Sequence, residues 1–187
     1  MRERPRGRVE IELDGAPWRV VPVDAAVRAG LSPGRALDRE TARALGRELR
    51  RAEALGVAVR ALRHRDLSRR RLEARLAERG APAAARADAL AALERAGLVD
   101  DARTAAARAA ALAERGYGDA AIRASLEREG LEGELVSGAL AALEPEPARA
   151  RALAGRRGGG SKALRWLAAR GFEASTLEEL AGFAEEA

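Results

Sequence analysis

The side chains here that could do chemistry are overwhelmingly arginines: all 34 basic residues except Lys162 are Arg, set against 29 acids and one histidine, His64. A guanidinium presents N–H donors in a planar fork and holds its charge at any physiological pH, so it suits the binding of oxyanions rather than proton transfer. Nucleophilic catalysis has almost no candidates. Cysteine is absent, and of six serines Ser68, Ser161 and Ser175 are expected as helix caps. His64 is read as a surface or packing residue. Asp100-Asp101 lacks the further carboxylates or imidazoles that a cation needs, and is expected to open a helix by opposing its positive end. No catalytic residue, metal or cofactor is expected.

One stretch resembles a phosphate-binding loop, Gly155-Arg156-Arg157-Gly158-Gly159-Gly160-Ser161-Lys162. Its order is Gly-Ser-Lys rather than Gly-Lys-Ser, and an Ala/Arg helix precedes it where that motif needs a buried strand. It reads as a basic interhelical loop that touches phosphates through Arg156, Arg157 and Lys162.

The elements that must carry these arginines are helical. Of 187 residues 47% are apolar but only 3% aromatic, which disfavours large sheets and predicts a core of small aliphatic side chains. Without cysteine there is no disulfide framework. No run approaches the roughly 18 to 20 apolar residues of a membrane span, and Arg2, Arg4, Arg6 and Arg8 are followed by no apolar stretch of a signal peptide, so a cytoplasmic protein is expected.

Val9 to Leu13 alternates, Asp14-Gly15 turns, and Trp18 to Val23 resumes in an extended pattern, predicting a β-hairpin closed by Pro22. A short helix over 24–29 ends at Gly30. These residues, 1–36, form an N-terminal arm. From Asp38, an expected N-cap, the pattern is helical nearly throughout, with Gly56 a point where the first helix bends or splits.

The helices recur. A shift of 50 residues superposes Ala61-Leu62-x-x-Arg65, Leu76, Gly80 and Ala89-Leu90-Ala91-Ala92-Leu93 on Ala111-Leu112-x-x-Arg115, Leu126, Gly130 and Ala139-Leu140-Ala141-Ala142-Leu143. A further shift of 41 reaches Ala152-Leu153-x-x-Arg156, Leu167 and Gly171. This spacing predicts a mainly α fold, an elongated and curved array of three tandem three-helix repeats at 37–97, 98–144 and 145–187, preceded by the small N-terminal β-hairpin. Glu144-Pro145-Glu146-Pro147 marks a boundary, and Ser175 with Glu178 is expected as a capping box.

The net charge of +5 is unevenly laid out. Eight arginines lie from Arg60 to Arg79, seven basic residues and no acid from Arg149 to Arg170, and then Glu173, Glu178, Glu179, Glu185 and Glu186 stand unopposed. Such asymmetry suggests oriented binding to a polyanion or an acidic groove. Arg71, Arg75 and Arg79 fall on one helical stripe, with Leu72 and Leu76 turned to the core.

Order and spacing of these residues resemble the RecX family of recombination regulators. The carriers are Ala61-Leu62, Arg65-Asp66-x-Ser68, Leu72-x-x-x-Leu76-x-x-x-Gly80, Leu93-x-x-x-Gly97-Leu98-Val99-Asp100-Asp101-Ala102-Arg103, Arg115-Gly116-Tyr117-Gly118, Ile122-x-x-x-Leu126-x-x-x-Gly130-Leu131 and Gly171-Phe172. Thr104 departs from the aromatic usual in the family. The resemblance implies a non-enzymatic modulator of the RecA recombinase that lies in the groove of the RecA filament on DNA, bridges protomers, and depresses strand exchange and ATP hydrolysis.

On that reading the partner is the RecA filament, with single- and double-stranded DNA as further partners, no membrane, and a monomeric state. The residues expected to dock are Arg69, Arg71, Arg75 and Arg79 in the first repeat. Arg103, Arg108, Arg115 and Arg123 follow in the second, and Arg156, Arg157, Lys162 and Arg165 in the third. The alternative is a direct DNA-binding protein using a three-helix unit as a helix-turn-helix, against which the absence of Asn and Gln counts.

Overall fold

The computed structural model describes residues 1–185, with side chains through residue 182. Of the terminal acids named above, the Glu185 side chain and Glu186 lie outside the described residues. The chain packs as two compact units, one of Met1–Arg65 with Leu72–Val99, the other of Asp66–Arg71 with Asp100–Ala187.

In the first unit the hairpin is part of a three-stranded antiparallel sheet, β1 (Arg2–Arg4), β2 (Arg8–Leu13) and β3 (Ala16–Pro22), in that order. Asp14 and Gly15 both take positive φ, which matches the twist of a tight hairpin. Val9 pairs with Val21, and a bulge falls between Ile11 and Glu12. Strand β1 lies outside the expected hairpin, since Arg-Glu-Arg shows no apolar alternation; Arg4 pairs with Glu10 at 2.5 Å and Arg2 with Glu12 at 3.4 Å. Behind the sheet, Val9, Ile11 and Val21 bury against Ala26 and Ala29 of the α1 region (Val23–Arg28) and Leu45 of α2 (Arg39–Leu62).

Helix α2 starts where Asp38 accepts the Thr41 N–H at 2.7 Å, and it runs through Gly56 without the expected break. Ala54, Ala58 and Ala61 form a small-residue face, and α2 packs against α4 (Ala83–Arg95), whose Ala85, Ala89, Leu90 and Leu93 are buried. Helix α3 (Arg69–Glu78) buries Leu72 and Leu76.

The second unit holds two three-helix clusters. Helices α5 (Asp101–Glu114), α6 (Asp119–Arg128) and α7 (Gly133–Ala141) surround Ala105, Ala109, Ile122, Leu126, Val136 and Leu140. Helices α8 (Glu146–Gly155), α9 (Gly160–Ala169) and α10 (Ala174–Glu185) surround Ala150, Ala163, Leu167 and Phe172.

The residues that recur in the sequence recur in role. Leu76, Leu126 and Leu167 are each fully buried, and each carbonyl accepts the N–H five residues on, from Ala81, Leu131 and Phe172. Gly80, Gly130 and Gly171 stand between at φ near +75°, donating to Ala77, Glu127 and Ala168. These three helix ends are the same Schellman motif, in which glycine reverses the chain and the buried Leu anchors the last turn.

Three expectations need correction. Ser161 lies inside α9, whose first turn is preceded by Gly159 with no side-chain cap. Ser175 lies inside α10, so the capping box with Glu178 does not form; a carboxylate from another helix takes its place. Glu179 is opposed, by Arg151 at 2.5 Å.

Candidate polyanion-binding site

The described residues include no cluster of three or more His, Cys, Asp or Glu able to hold a metal ion, and no helix long and apolar enough to cross a membrane. The site that does form is cationic. In the second unit a cleft of about 640 Å³ is lined by Arg115, Arg156, Arg157, Lys162 and Arg170, with Glu114 the only acid among the described residues and Trp166 as its aromatic wall. Four of these cations, Arg115, Arg156, Arg157 and Lys162, are among those expected from sequence.

Local structure explains the convergence. The Schellman turn at Gly116 ends α5 and leaves Arg115 at its last carbonyls, while the loop of Gly158, Gly159 and Gly160, all at positive φ, reverses the chain between α8 and α9. Arg156 and Arg157 therefore end one helix as Lys162 begins the next. A Cβ on Gly116 would lie 3.4 Å from the Trp166 ring, so α5 and α9 approach closely here.

The guanidiniums are held by aromatic faces. Arg157 lies over Trp166 at 3.7 Å, Arg170 lies 4.8 Å from both Trp166 and Tyr117, and Arg115 lies 5.5 Å from Tyr117. The result is a ladder of Arg157, Trp166, Arg170, Tyr117 and Arg115. Cation–π contact engages the face of a guanidinium and leaves its N–H edge available to oxyanions, as in the Arg170 donation to the Arg115 carbonyl at 3.0 Å. Trp166, Tyr117 and Arg170 were not singled out from sequence. Arg-Trp at 165–166 and Arg-Gly-Tyr at 115–117 show basic and aromatic residues side by side, which is the signal that could have found them.

The remaining expected residues are placed differently. Arg71 donates from Nε to Glu129 at 3.2 Å and Arg108 reaches the other Glu129 oxygen at 3.0 Å, so both hold a carboxylate only 5% exposed. Arg103 pairs with Asp100 in its own first turn at 3.7 Å, and the Arg69 backbone N–H donates to Asp101 at 2.8 Å. Asp100, expected to open a helix, does so as the N-cap of α5, accepting the Arg103 N–H at 2.9 Å. Arg75, Arg79 and Arg165 are exposed, and Arg123 is half-buried on α6.

Next to the cleft lies a buried polar joint that the sequence did not reveal. Glu146, 6% exposed, accepts the Asp119 N–H at 2.5 Å with one oxygen, and the Glu173 N–H at 3.0 Å and Thr176 hydroxyl at 2.8 Å with the other. It thus satisfies orphan donors at the starts of both α6 and α10. Arg149 completes the joint, donating to the carbonyls of Glu144 at 2.8 Å and Tyr117 at 3.1 Å and pairing with Asp119. The Tyr117 contact ties this scaffold to the ladder.

No family model matches the chain. Two proteins named Regulatory protein RecX are similar to it, each over 140 residues and 70% of this chain. The one from Xanthomonas oryzae pv. oryzae is 37% identical with 85% of its length covered, and the one from Xanthomonas axonopodis pv. citri is 39% identical with 84% covered. A crystal structure of regulatory protein RecX superposes with a TM-score of 0.81 at 22% identity, covering 97% of this chain and 96% of its own. That of RecX from Lactobacillus salivarius gives 0.63 at 16% identity, covering 74% and 98%. At such identities these two likenesses speak to the fold alone, and the first of them matches it as mainly helical with a small N-terminal sheet.

Proposed function

The chain belongs to the RecX family of regulatory proteins, and from that premise we propose that it is a non-enzymatic modulator of the RecA recombinase. It binds the RecA–DNA filament in the cytoplasm as a monomer, bridges neighbouring protomers, and depresses strand exchange and ATP hydrolysis. Its working parts are the arm at 1–36 and the three-helix repeats at 37–97, 98–144 and 145–187, with basic side chains for docking and helix-face apolar contacts for register.

The observation that supports this best is the meeting of Arg115 with Arg156, Arg157 and Lys162, which lie far from it in sequence, around one cleft lined by a single acid. A protein meant only to stay soluble has no need to concentrate like charges, which repel by a few tenths of a kcal/mol per neighbouring pair. Exposed Arg75 and Arg79 add cations on α3.

Retention of the protein on RecA assembled on single-stranded DNA, compared with bare DNA and with RecA alone, tests the reading. Preference for the assembled filament, with a fall in its ATPase, is expected. Retention on bare duplex with strong sequence discrimination, and no gain from recombinase, would favour the direct DNA-binding alternative instead.

A further inference from the structure

We infer that the cleft beside Trp166 seats the sugar-phosphate backbone of one nucleic-acid strand and grips it without reading bases. This deepens the filament reading, which supplies the strand. Its test needs only bare oligonucleotide.

Charge is the first argument. Five cations and one carboxylate line a single concavity, so an occupant that lacks several negative charges leaves the cations facing one another. A nucleic-acid strand brings one fixed charge per nucleotide, spaced by its own covalent backbone. An acidic peptide must instead order several flexible carboxylates to match, which makes it the weaker fit.

The aromatic residues supply the second. Base-binding grooves offer aromatic faces on which bases stack. Here Arg157 and Arg170 already lie against the Trp166 ring, and Arg170 and Arg115 against Tyr117, so this chain's own cations occupy the rings. Stacking uses the face of a guanidinium and not its N–H edge, and such edges match phosphate oxygens in bidentate fashion. Neutral amides that read base edges are missing altogether, for the sequence has no Asn or Gln.

Size is the third. The cleft holds about 640 Å³, a space on the order of 9 Å across, whereas the major groove alone of a duplex is about 12 Å wide. A single strand enters; a duplex rests on the rim.

The experiment uses the full chain with Trp18→Phe, which leaves Trp166 as the sole tryptophan reporter. A short oligothymidylate, an abasic deoxyribose-phosphate oligomer of equal length, a duplex and polyglutamate are titrated at matched charge and several salt concentrations. The two single-stranded oligomers should bind alike and change Trp166 emission, with duplex and polyglutamate at least about 10-fold weaker. Arg157→Gln with Lys162→Gln should weaken the strand about 25-fold at about 0.1 M salt and lower the salt slope by about 1.4, the yield of two lost phosphate contacts. Arg43→Gln with Arg47→Gln, exposed on α2, should change neither.

Unchanged affinity in the Arg157/Lys162 variant overturns the inference. So does parity of duplex or polyglutamate with the single strand, or clearly tighter binding of thymidylate than of the abasic chain. A protein that grips the strand in this way yet leaves filament ATPase untouched would refute the filament reading alone. One that inhibits the filament while its Arg157/Lys162 variant binds strand normally would refute only the inference.

Discussion

Arg71 and Glu129, 58 residues apart, meet at 3.2 Å, and the same buried carboxylate takes Arg108 on its other oxygen. Ser68, which caps α3 by accepting the Arg71 N–H at 3.1 Å, donates its hydroxyl to the Glu129 carbonyl at 2.5 Å. The first turn of α3 is therefore fastened to the end of α6 by both side chain and backbone.

Substituting Arg71 consequently tests architecture before it tests docking. Arg71→Glu sets a second carboxylate against Glu129 and should lower unfolding free energy by about 2 kcal/mol, below the range for a fully buried pair because Arg71 is half-exposed. Arg75→Glu with Arg79→Glu, on the same helix, should leave urea unfolding nearly unchanged and lower inhibition of filament ATPase. Undiminished inhibition would remove those two residues from the interface.

Glu146 carries a larger share of stability than its position in a proline-rich boundary suggests. In Glu146→Gln an amide replaces one of two oxygens that face only N–H and O–H donors, so one donor loses its acceptor and meets another donor. Unfolding free energy should fall by about 2–4 kcal/mol. Hydrogen exchange should quicken first at Asp119 and Glu173, whose N–H groups the carboxylate satisfies.

How much of this was legible in the sequence follows from the range of each interaction. Leu76 with Gly80, Leu126 with Gly130 and Leu167 with Gly171 were readable because a Schellman turn is local and repeats with the chain. Asp38 and Ser68 were readable as caps for the same reason, each accepting an N–H three residues on, and Asp100 was readable as the opening of a helix. Glu146 was not, since its partners lie 27 and 30 residues away on two other segments. The cleft was half readable: a run of basic residues marks Arg156, Arg157 and Lys162, but only folding brings Arg115, Tyr117 and Arg170 beside them.

Gly118 has no room for added bulk. Its N–H donates to the Arg170 carbonyl at 3.0 Å, and a Cβ there would lie 2.4 Å from the Gly171 carbonyl oxygen and the Phe172 backbone, which cannot swing aside as a flexible side chain would. Gly118→Ala should cost about 3 kcal/mol, at the upper end for an added methyl in a packed interior. Gly133→Ala meets nothing within 4 Å at the start of α7 and should be neutral or stabilising by up to about 1 kcal/mol. Thermal melts of the pair check both.

Asp38 sets a pH dependence of known sign. The Thr41 backbone N–H, then its hydroxyl, and the nearby Arg35 charge hold the carboxyl below its ordinary value of 3.8. A group whose pKa is lower folded than unfolded stabilises the fold above its unfolded value and loses that contribution as pH falls toward the folded one. The stability gap between wild type and Asp38→Ala should be flat from neutrality to about pH 5 and close below about pH 4. A gap that widens on acidification would contradict this account.

The stacked arrangement of Arg157, Trp166, Arg170, Tyr117 and Arg115 bears on how fast a guest leaves. Long cationic side chains ordinarily surrender motional freedom when they close on a ligand, and here much of that loss is incurred during folding. Capture and escape then need little rearrangement of the host, so residence time should track ionic strength and stay nearly indifferent to solvent viscosity beyond its effect on diffusion.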